Sequence, residues 1–345
     1  MAVIFSRWRP ALMMRVLRTA RPMNQMIRFQ SAHGSSDQDP AGEMSGHQAL
    51  VSARWLYEHG NQSDVRLLDT TWDLAEAGNE QYKEKHIPGA IFYNLNHCIK
   101  PTQLIPRNFP DLECFEEYLR SLGVKHKSHV IFYDRRGMIP AARAWWMLRA
   151  CGHKTVSVLD GGLYAWENEG YDVTKELPPT PKPGNIRIHL QKTLIRQFED
   201  VEKLIGSHTE QLVDTRQPEH FTGTAGEPND KTVAALQWWK LPLPSKMHLG
   251  HVPGALNVPW TDLYDDSGQC MKSKEELKKV FEKAGVDLNK PTTSMCYIGH
   301  TANVFSLAAA HLGKDDVATY YGSWTEWAQR AKPEQCEQGP PRTIT

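Results

Sequence analysis

The chain has 345 residues, 40 basic and 40 acidic side chains, 40% hydrophobic and 23% charged residues, a composition that excludes collagen-like, disordered and membrane-spanning classes. At about 150 residues per domain the length predicts two domains of similar size. Overall neutrality hides an asymmetry, because residues 1–36 hold six arginines (Arg7, Arg9, Arg15, Arg18, Arg21, Arg28) and no acid, leaving 34 basic against 40 acidic residues in the body. Such a body has no polyanion-binding signature, and nucleic acid is not an expected partner.

Taken in chain order, residues 1–30 mix arginine with Met, Leu, Ile, Val, Phe and Trp, and Ser31, Ser35 and Ser36 follow. This is the arginine-rich, acid-poor pattern of a mitochondrial transit peptide, so the expected location is the mitochondrial matrix. No stretch reaches the roughly 20 apolar residues of a membrane span, and no membrane partner is expected. Residues 1–45 are read as transit peptide and polar lead-in, with folding expected to start near Gln48.

From there the same order of landmarks occurs twice. Leu67-Leu68-Asp69-Thr70 corresponds to Leu212-Val213-Asp214-Thr215, each an apolar run ending in Asp-Thr where a buried strand meets a loop. His86-Ile87-Pro88-Gly89-Ala90 corresponds to His251-Val252-Pro253-Gly254-Ala255. Val130 to Asp134 matches Thr292 to Cys296, and Asp160 to Trp166 matches Tyr321 to Trp327. A repeat this long predicts duplicated domains.

Between the copies, Lys175 to Gly184 holds Pro178, Pro179, Pro181 and Pro183, which neither a helix nor a central strand tolerates. The expected organisation is a first domain over 46–175, a Pro-rich linker over 176–190, a second domain over 191–332 and a polar tail over 333–345. Short apolar runs alternate with helical patterns such as Ala141 to Cys151 and Thr301 to Leu312. Each half is therefore expected to be α/β, a parallel sheet with helices on both faces.

The six cysteines (Cys98, Cys114, Cys151, Cys270, Cys296, Cys336) are widely spaced, without a zinc-type cluster, so no metal is expected. A reducing compartment with mostly free thiols is the expectation. One cysteine differs in context. Strand ends in open α/β sheets face the crevice where ligands bind, and there the first half carries Asp134 and the second Cys296. After Cys296 come Tyr297, Ile298, Gly299, His300 and Thr301, then a helical run with Ala302, Phe305, Ala309 and Leu312 on one face. A cysteine just before a helix N-terminus is placed for nucleophilic sulfur chemistry, because unpaired N–H groups and the helix dipole favour a thiolate.

On these motifs, together with Trp72, Ala144-Trp145-Trp146-Met147-Leu148-Arg149 and Gly250 to Pro259, the body from about residue 50 to 332 resembles the two-domain rhodanese family, the thiosulfate and 3-mercaptopyruvate sulfurtransferases. The resemblance implies tandem rhodanese-like domains, the first catalytically silent with Asp134, the second carrying Cys296 at the start of a six-residue loop. It implies a sulfane sulfur taken from thiosulfate or 3-mercaptopyruvate as a persulfide on Cys296 and passed to cyanide or a thiol, with a thioredoxin-like reductant among the candidate acceptors. No metal or organic cofactor is implied. Loop amides from Tyr297 to Thr301 would cradle the persulfide, with Gly299 letting the backbone curl around it.

The chain departs from the family's donor signatures. Thiosulfate enzymes place two basic residues after the cysteine, and mercaptopyruvate enzymes place Gly-Ser-Gly there; this chain has Tyr297-Ile298-Gly299. The two arginines with which mercaptopyruvate enzymes hold the donor carboxylate are matched by His220 and Asn229, neither of which reproduces a guanidinium fork. Arg216, His220 and His86 are the candidate substrate-binding residues, and His300 is a candidate titratable positive charge. Arg216 has an alternative structural role. So has His86, because both halves place a histidine before their Pro-Gly turn, and Asp73, Glu76 and Glu80 are not distinguished as its partner. A cysteine phosphatase would close a similar loop with an arginine, but Ala302 and Asn303 follow Thr301 here. The other competing reading is a rhodanese-like binding or sulfur-sensing protein without turnover.

Overall fold

The computed structural model describes residues 48–72, 78–207, 209–225 and 247–340. The expected transit peptide and its lead-in, Asp73, Glu76 and Asn229 lie outside the described residues.

Two five-stranded sheets carry the fold. In the first, β1 (Leu50–Val51), β2 (Val65–Asp69), β3 (Ile91–Phe92), β4 (His129–Tyr133) and β5 (Val156–Leu159) lie in the order β1-β5-β4-β2-β3. In the second, β6 (Ile195–Arg196), β7 (Gln211–Asp214), β8 (Leu256–Asn257), β9 (Thr292–Met295) and β10 (Ala318–Tyr320) repeat that order as β6-β10-β9-β7-β8. All pairings are parallel. This is the duplicated α/β architecture expected from the repeated landmarks.

Most strands are apolar because both faces of each sheet are buried, while β9 buries the hydroxyls of Thr292, Thr293 and Ser294 with their hydrogen bonds made. Along β4, Val130 and Phe132 enter one core while Ile131 and Tyr133 enter another. Helices α1 (Ala53–His59) and α5 (Gly162–Asn168) cover the second of these faces through Leu56, Leu163 and Trp166. The other face is covered by α3 (Leu112–Ser121) and α4 (Ile139–Ala150). Helix α2 (Gly78–Glu84) completes the first half. In the second half, α6 (Phe198–Glu202) and α7 (Pro218–Phe221) lie on an outer core with Trp324 and Trp327.

One core spans both halves, joining α3 and α4 to α8 (Lys274–Lys283) and α9 (Ala302–His311). Helix α9 differs from its expected one-faced pattern: Ala302 through Ala309 are all buried. It packs directly against α4, so its second face is covered by the other domain rather than by water. Its Ala-rich sequence lets the two helices approach closely. Each of these helices follows a strand-end loop, so their packing sets the two loops at the interface between the domains.

The Pro-rich segment is strapped to the first half: the Gly184 and Ile186 amides donate to the carbonyls of Arg120 and Val124, and those of His189 and Gln191 to Cys151 and Ala150. The polar tail folds back on the second half, where Glu337 and His251 exchange backbone hydrogen bonds. Here α10 (Ser323–Arg330) ends, and the Trp327 indole donates to the Gln335 carbonyl.

One expectation is corrected. Cys98 and Cys114 are not free thiols but form a disulfide, with Cα atoms 5.6 Å apart and a sequence separation of 16, while Cys151, Cys270, Cys296 and Cys336 remain free. The segment after β3 turns back on itself, with the Asp111 amide donating to the Cys98 carbonyl, and brings the pair together. Opening a loop of this length in C98S or C114S is expected to lower stability by about 2–3 kcal/mol, read as a fall in the denaturant midpoint under non-reducing conditions.

Candidate active site

Strand β9 ends at Met295, and the chain then turns through Cys296 to Thr301 before entering α9. Three contacts fix the start of this loop. The Cys296 amide donates to Ser323 Oγ at 3.1 Å, the Trp324 amide donates to the Cys296 carbonyl at 2.9 Å, and the Tyr297 carbonyl accepts from both the Thr325 amide and its hydroxyl. Ser323, at φ 53°, occupies the left-handed region. Its first-half counterpart is Gly162 at φ 52°, and the Leu163 amide there donates to the Asp134 carbonyl at 2.9 Å. The two loops are thus built on one plan.

Gly299 is the pivot. Its φ of 79° is left-handed, and a Cβ added to it would overlap the Tyr321 carbonyl oxygen. The resulting curl turns the Gly299 N–H onto Cys296 Sγ at 3.1 Å. The sulfur itself is buried, with Cys296 2% exposed. Tyr297, Ile298 and Thr301 are the half-buried members of the loop, so its mouth carries no charge. Thr301 closes the loop, its hydroxyl 3.1 Å from that of Thr215.

His300 lies inside, its ring edge-on to Trp72 with centroids 5.6 Å apart. Burial, then Arg107 and Arg143, hold its imidazole well below the usual histidine range. The expected titratable positive charge is therefore corrected: two neighbouring guanidiniums and a dry site keep His300 neutral. Arg107 stacks over the other partner in this group, 4.2 Å from the Trp72 ring, and donates to the Asn96 side chain. A recess of about 250 Å³, lined by Trp72, Asn79, Phe92 and Asn96 among others, lies against the same indole.

No described hydrogen bond joins the three candidate substrate-binding residues to the sulfur. Arg216 directs Nε and Nη2 to the Asp214 carboxylate at 2.9 and 2.6 Å, gives Nη2 also to the Gly250 carbonyl at 2.7 Å, and lies over Trp324. A fork used this way joins β7 to the segment before the Pro-Gly turn, which is an architectural task. His86 sets Nδ1 2.8 Å from the Tyr82 carbonyl and Nε2 3.2 Å from that of Glu176. His251 repeats the arrangement, with Nδ1 2.9 Å from the Phe221 carbonyl and its ring stacked on Phe221. Both histidines anchor their Pro-Gly turns. His220 sits half-buried on α7.

Sequence reasoning missed Arg143. From α4 in the first half its Nη1 donates to the Gly299 carbonyl at 3.1 Å and its Nη2 to the Arg107 carbonyl at 2.9 Å. It stands just before Ala144-Trp145-Trp146, within the helical run Ala141 to Cys151, and no local signal marks a contact 156 residues away. Among the described residues the one cluster of metal-ligating type is His97, Cys98 and Cys114. There the sulfurs are bonded to each other and so are not thiolate ligands.

The family of Rhodanese-like domains matches the chain twice, over residues 52–169 and 197–330. The chain is 40% identical over 294 residues to a thiosulfate sulfurtransferase of Gallus gallus, covering 83% of this chain and 95% of that one. It is 37% identical over 295 residues to the 3-mercaptopyruvate sulfurtransferase of Homo sapiens, covering 83% and 94%. The crystal structure of SseA from Escherichia coli, a 3-mercaptopyruvate sulfotransferase, superposes with a TM-score of 0.67 at 30% identity, covering 81% of this chain and 99% of that one. Two matches in tandem, falling on two copies of one strand order, mean that the chain belongs to the two-domain rhodanese family of sulfurtransferases.

Proposed function

We propose that Cys296 carries the transferred sulfur as a persulfide, taken from thiosulfate or 3-mercaptopyruvate and passed to cyanide or a thiol. The carrying observation is in the silent half. There Asp134 stands at the strand end, and its carboxylate accepts the amides of Arg136 at 2.6 Å, Met138 at 3.1 Å and Ala141 at 3.0 Å. A carboxylate oxygen lies as many bonds beyond Cβ as the outer sulfur of a cysteine persulfide. Asp134 is thus a built-in likeness of the charged intermediate, and its loop displays the amides that such an anion meets.

The equivalent amides in the second loop belong to Ile298, His300 and Asn303, with Gly299 already on Sγ. Fixed amides in a dry loop stabilise an anion without reorganising. Dryness also has a cost: burial outweighs the three amides and pushes the Asp134 carboxyl up to about 6. A polarisable sulfur anion spreads its charge over a larger volume than oxygen does, which lessens that cost.

In the first half-reaction the Cys296 thiolate attacks the outer sulfur of the donor. A new S–S bond forms as the donor's bond to that sulfur breaks, and the electron pair leaves with sulfite or with the enolate of pyruvate. In the second, the acceptor attacks the outer sulfur and the Cys296 thiolate departs. Neither step requires an outside oxidant or reductant. A thioredoxin-like dithiol would serve as an acceptor, releasing the sulfur as sulfide while it becomes a disulfide. The relatives named above supply the two donor classes. A role confined to binding or sensing sulfur is the second reading, favoured by the uncharged loop mouth and by the engagement of Arg216 with Asp214.

Sulfur transfer by the purified chain, assayed with thiosulfate and cyanide and with mercaptopyruvate and a thiol, tests the proposal beside C296S. Turnover with at least one donor, lost in C296S along with the added sulfur seen by mass spectrometry, is expected; full turnover in C296S would sink it. G299A is expected to lose about 10-fold or more in turnover and about 1–3 kcal/mol of stability, checked by rate and by thermal unfolding. The arginine-rich first segment supports a mitochondrial address. A tagged chain lacking residues 1–36 should stay in the cytosol when imaged, and normal import of it would refute the address.

A further inference from the structure

The glycine carbonyl of each strand-end loop is held from the opposite domain. In the silent loop, the Gly137 carbonyl accepts from the Tyr264 hydroxyl of the second half. In the cysteine loop, the Gly299 carbonyl accepts from Arg143 of the first half. The positions correspond and the crossing is reciprocal, but the chemistry differs: a neutral phenol clasps the aspartate loop and a guanidinium clasps the cysteine loop.

Among the described residues Arg143 is a buried cation with no carboxylate in contact. It is 1% exposed, its described polar contacts are carbonyl oxygens, it lies over the Trp146 ring at 4.8 Å, and its Nε has no hydrogen-bond partner. Burying an unpaired charge is unfavourable enough that such groups ordinarily face an opposite charge. Among the described groups, those whose charge would favour the Arg143 cation are Cys296, Tyr321 and Tyr93. Arg107 is another cation, and Tyr93 and Tyr321 are phenols that burial pushes up. What remains is the sulfur at the head of the loop. The loop itself has no lysine or arginine between Cys296 and Thr301.

We infer that Arg143, reaching across from the silent domain, is the counter-cation of the sulfur on Cys296 and the clasp that fixes the Gly299 turn. It is a positioning residue: by drawing the Gly299 carbonyl outward it keeps the N–H of that residue aimed at Sγ. Its charge acts on thiolate and persulfide alike. Burial lowers the guanidinium to about 10, which leaves it cationic at neutral pH, and Cys296 is foremost among the groups that hold it up. The silent domain is thereby part of the active site. This inference rests on Cys296 being the sulfur carrier.

The test uses the two small alkylating agents iodoacetate, an anion, and iodoacetamide, its neutral analogue, with labelling of the Cys296 peptide followed by mass spectrometry. In the wild-type chain the iodoacetate-to-iodoacetamide rate ratio at Cys296 is expected to exceed that of free glutathione; an equal or lower ratio would overturn the charge role without any variant. R143M is expected to lower the ratio by about 3-fold or more and kcat by about 10-fold, with KM moved much less. R143K should restore the ratio, and R143Q, which keeps donors without charge, should not. Loss of kcat in R143M and R143Q with an unchanged ratio would make Arg143 merely structural. Y264F serves as the reciprocal control and should leave the ratio unaltered. If C296S retained sulfur transfer, the carrier reading would fail, while the alkylation ratio would still report whether Arg143 sets the charge at that cysteine.

Discussion

A sulfur anion inside a dry protein must be met by fixed dipoles and positive charge, and the rest of this structure follows from where those are placed. The amides come from a loop that turns sharply because Gly299 adopts φ 79° under the Tyr321 carbonyl. The loop is held in that turn from three sides: by Ser323 and Thr325 at its base, by Thr215 near its end, and by Arg143 from the other domain. The last of these holds only with α4 and α9 packed together, which the shared core across the two halves ensures. Domain packing and site geometry are therefore one constraint.

Much of this was legible in the chain. The four repeated landmarks locate β2, β7, β4, β9 and the two strand-end loops, because buried parallel strands need continuous apolar runs and their exits need residues that turn. Gly299 was legible for the same reason. What was not legible depends on contacts between distant segments. The Cys98–Cys114 bond requires the chain after β3 to fold back, and cysteine spacing alone does not show this. The neutrality of His300 requires knowing that burial and two guanidiniums surround it. The engagement of Arg216 by Asp214 turns an apparent substrate fork into a brace.

Duplication explains how a domain with Asp134 in place of the cysteine still reaches the cysteine loop. The first loop keeps the amide cradle but fills it permanently with Asp134, so it has no vacancy for a donor. Its helix, however, faces α9, and a residue on that helix can reach the second loop as readily as Tyr264 reaches the first. The two contacts are reciprocal in their targets and not in their sources, since Arg143 comes from α4 and Tyr264 from the turn after β8.

The position of positive charge also bears on what the enzyme discriminates. Basic residues at the mouth of such a loop attract a particular anionic donor, whereas this chain presents Tyr297 and Ile298 there and keeps Arg143 beneath the glycine turn. A cation in that place acts on the charge carried by the cysteine, which is common to every donor. It favours formation of the persulfide without distinguishing thiosulfate from mercaptopyruvate. Discrimination between donors then falls to groups other than Arg143. Catalytic charge and donor recognition are in this way assigned to different residues, which lets the loop mouth diverge while the sulfur chemistry beneath it is retained.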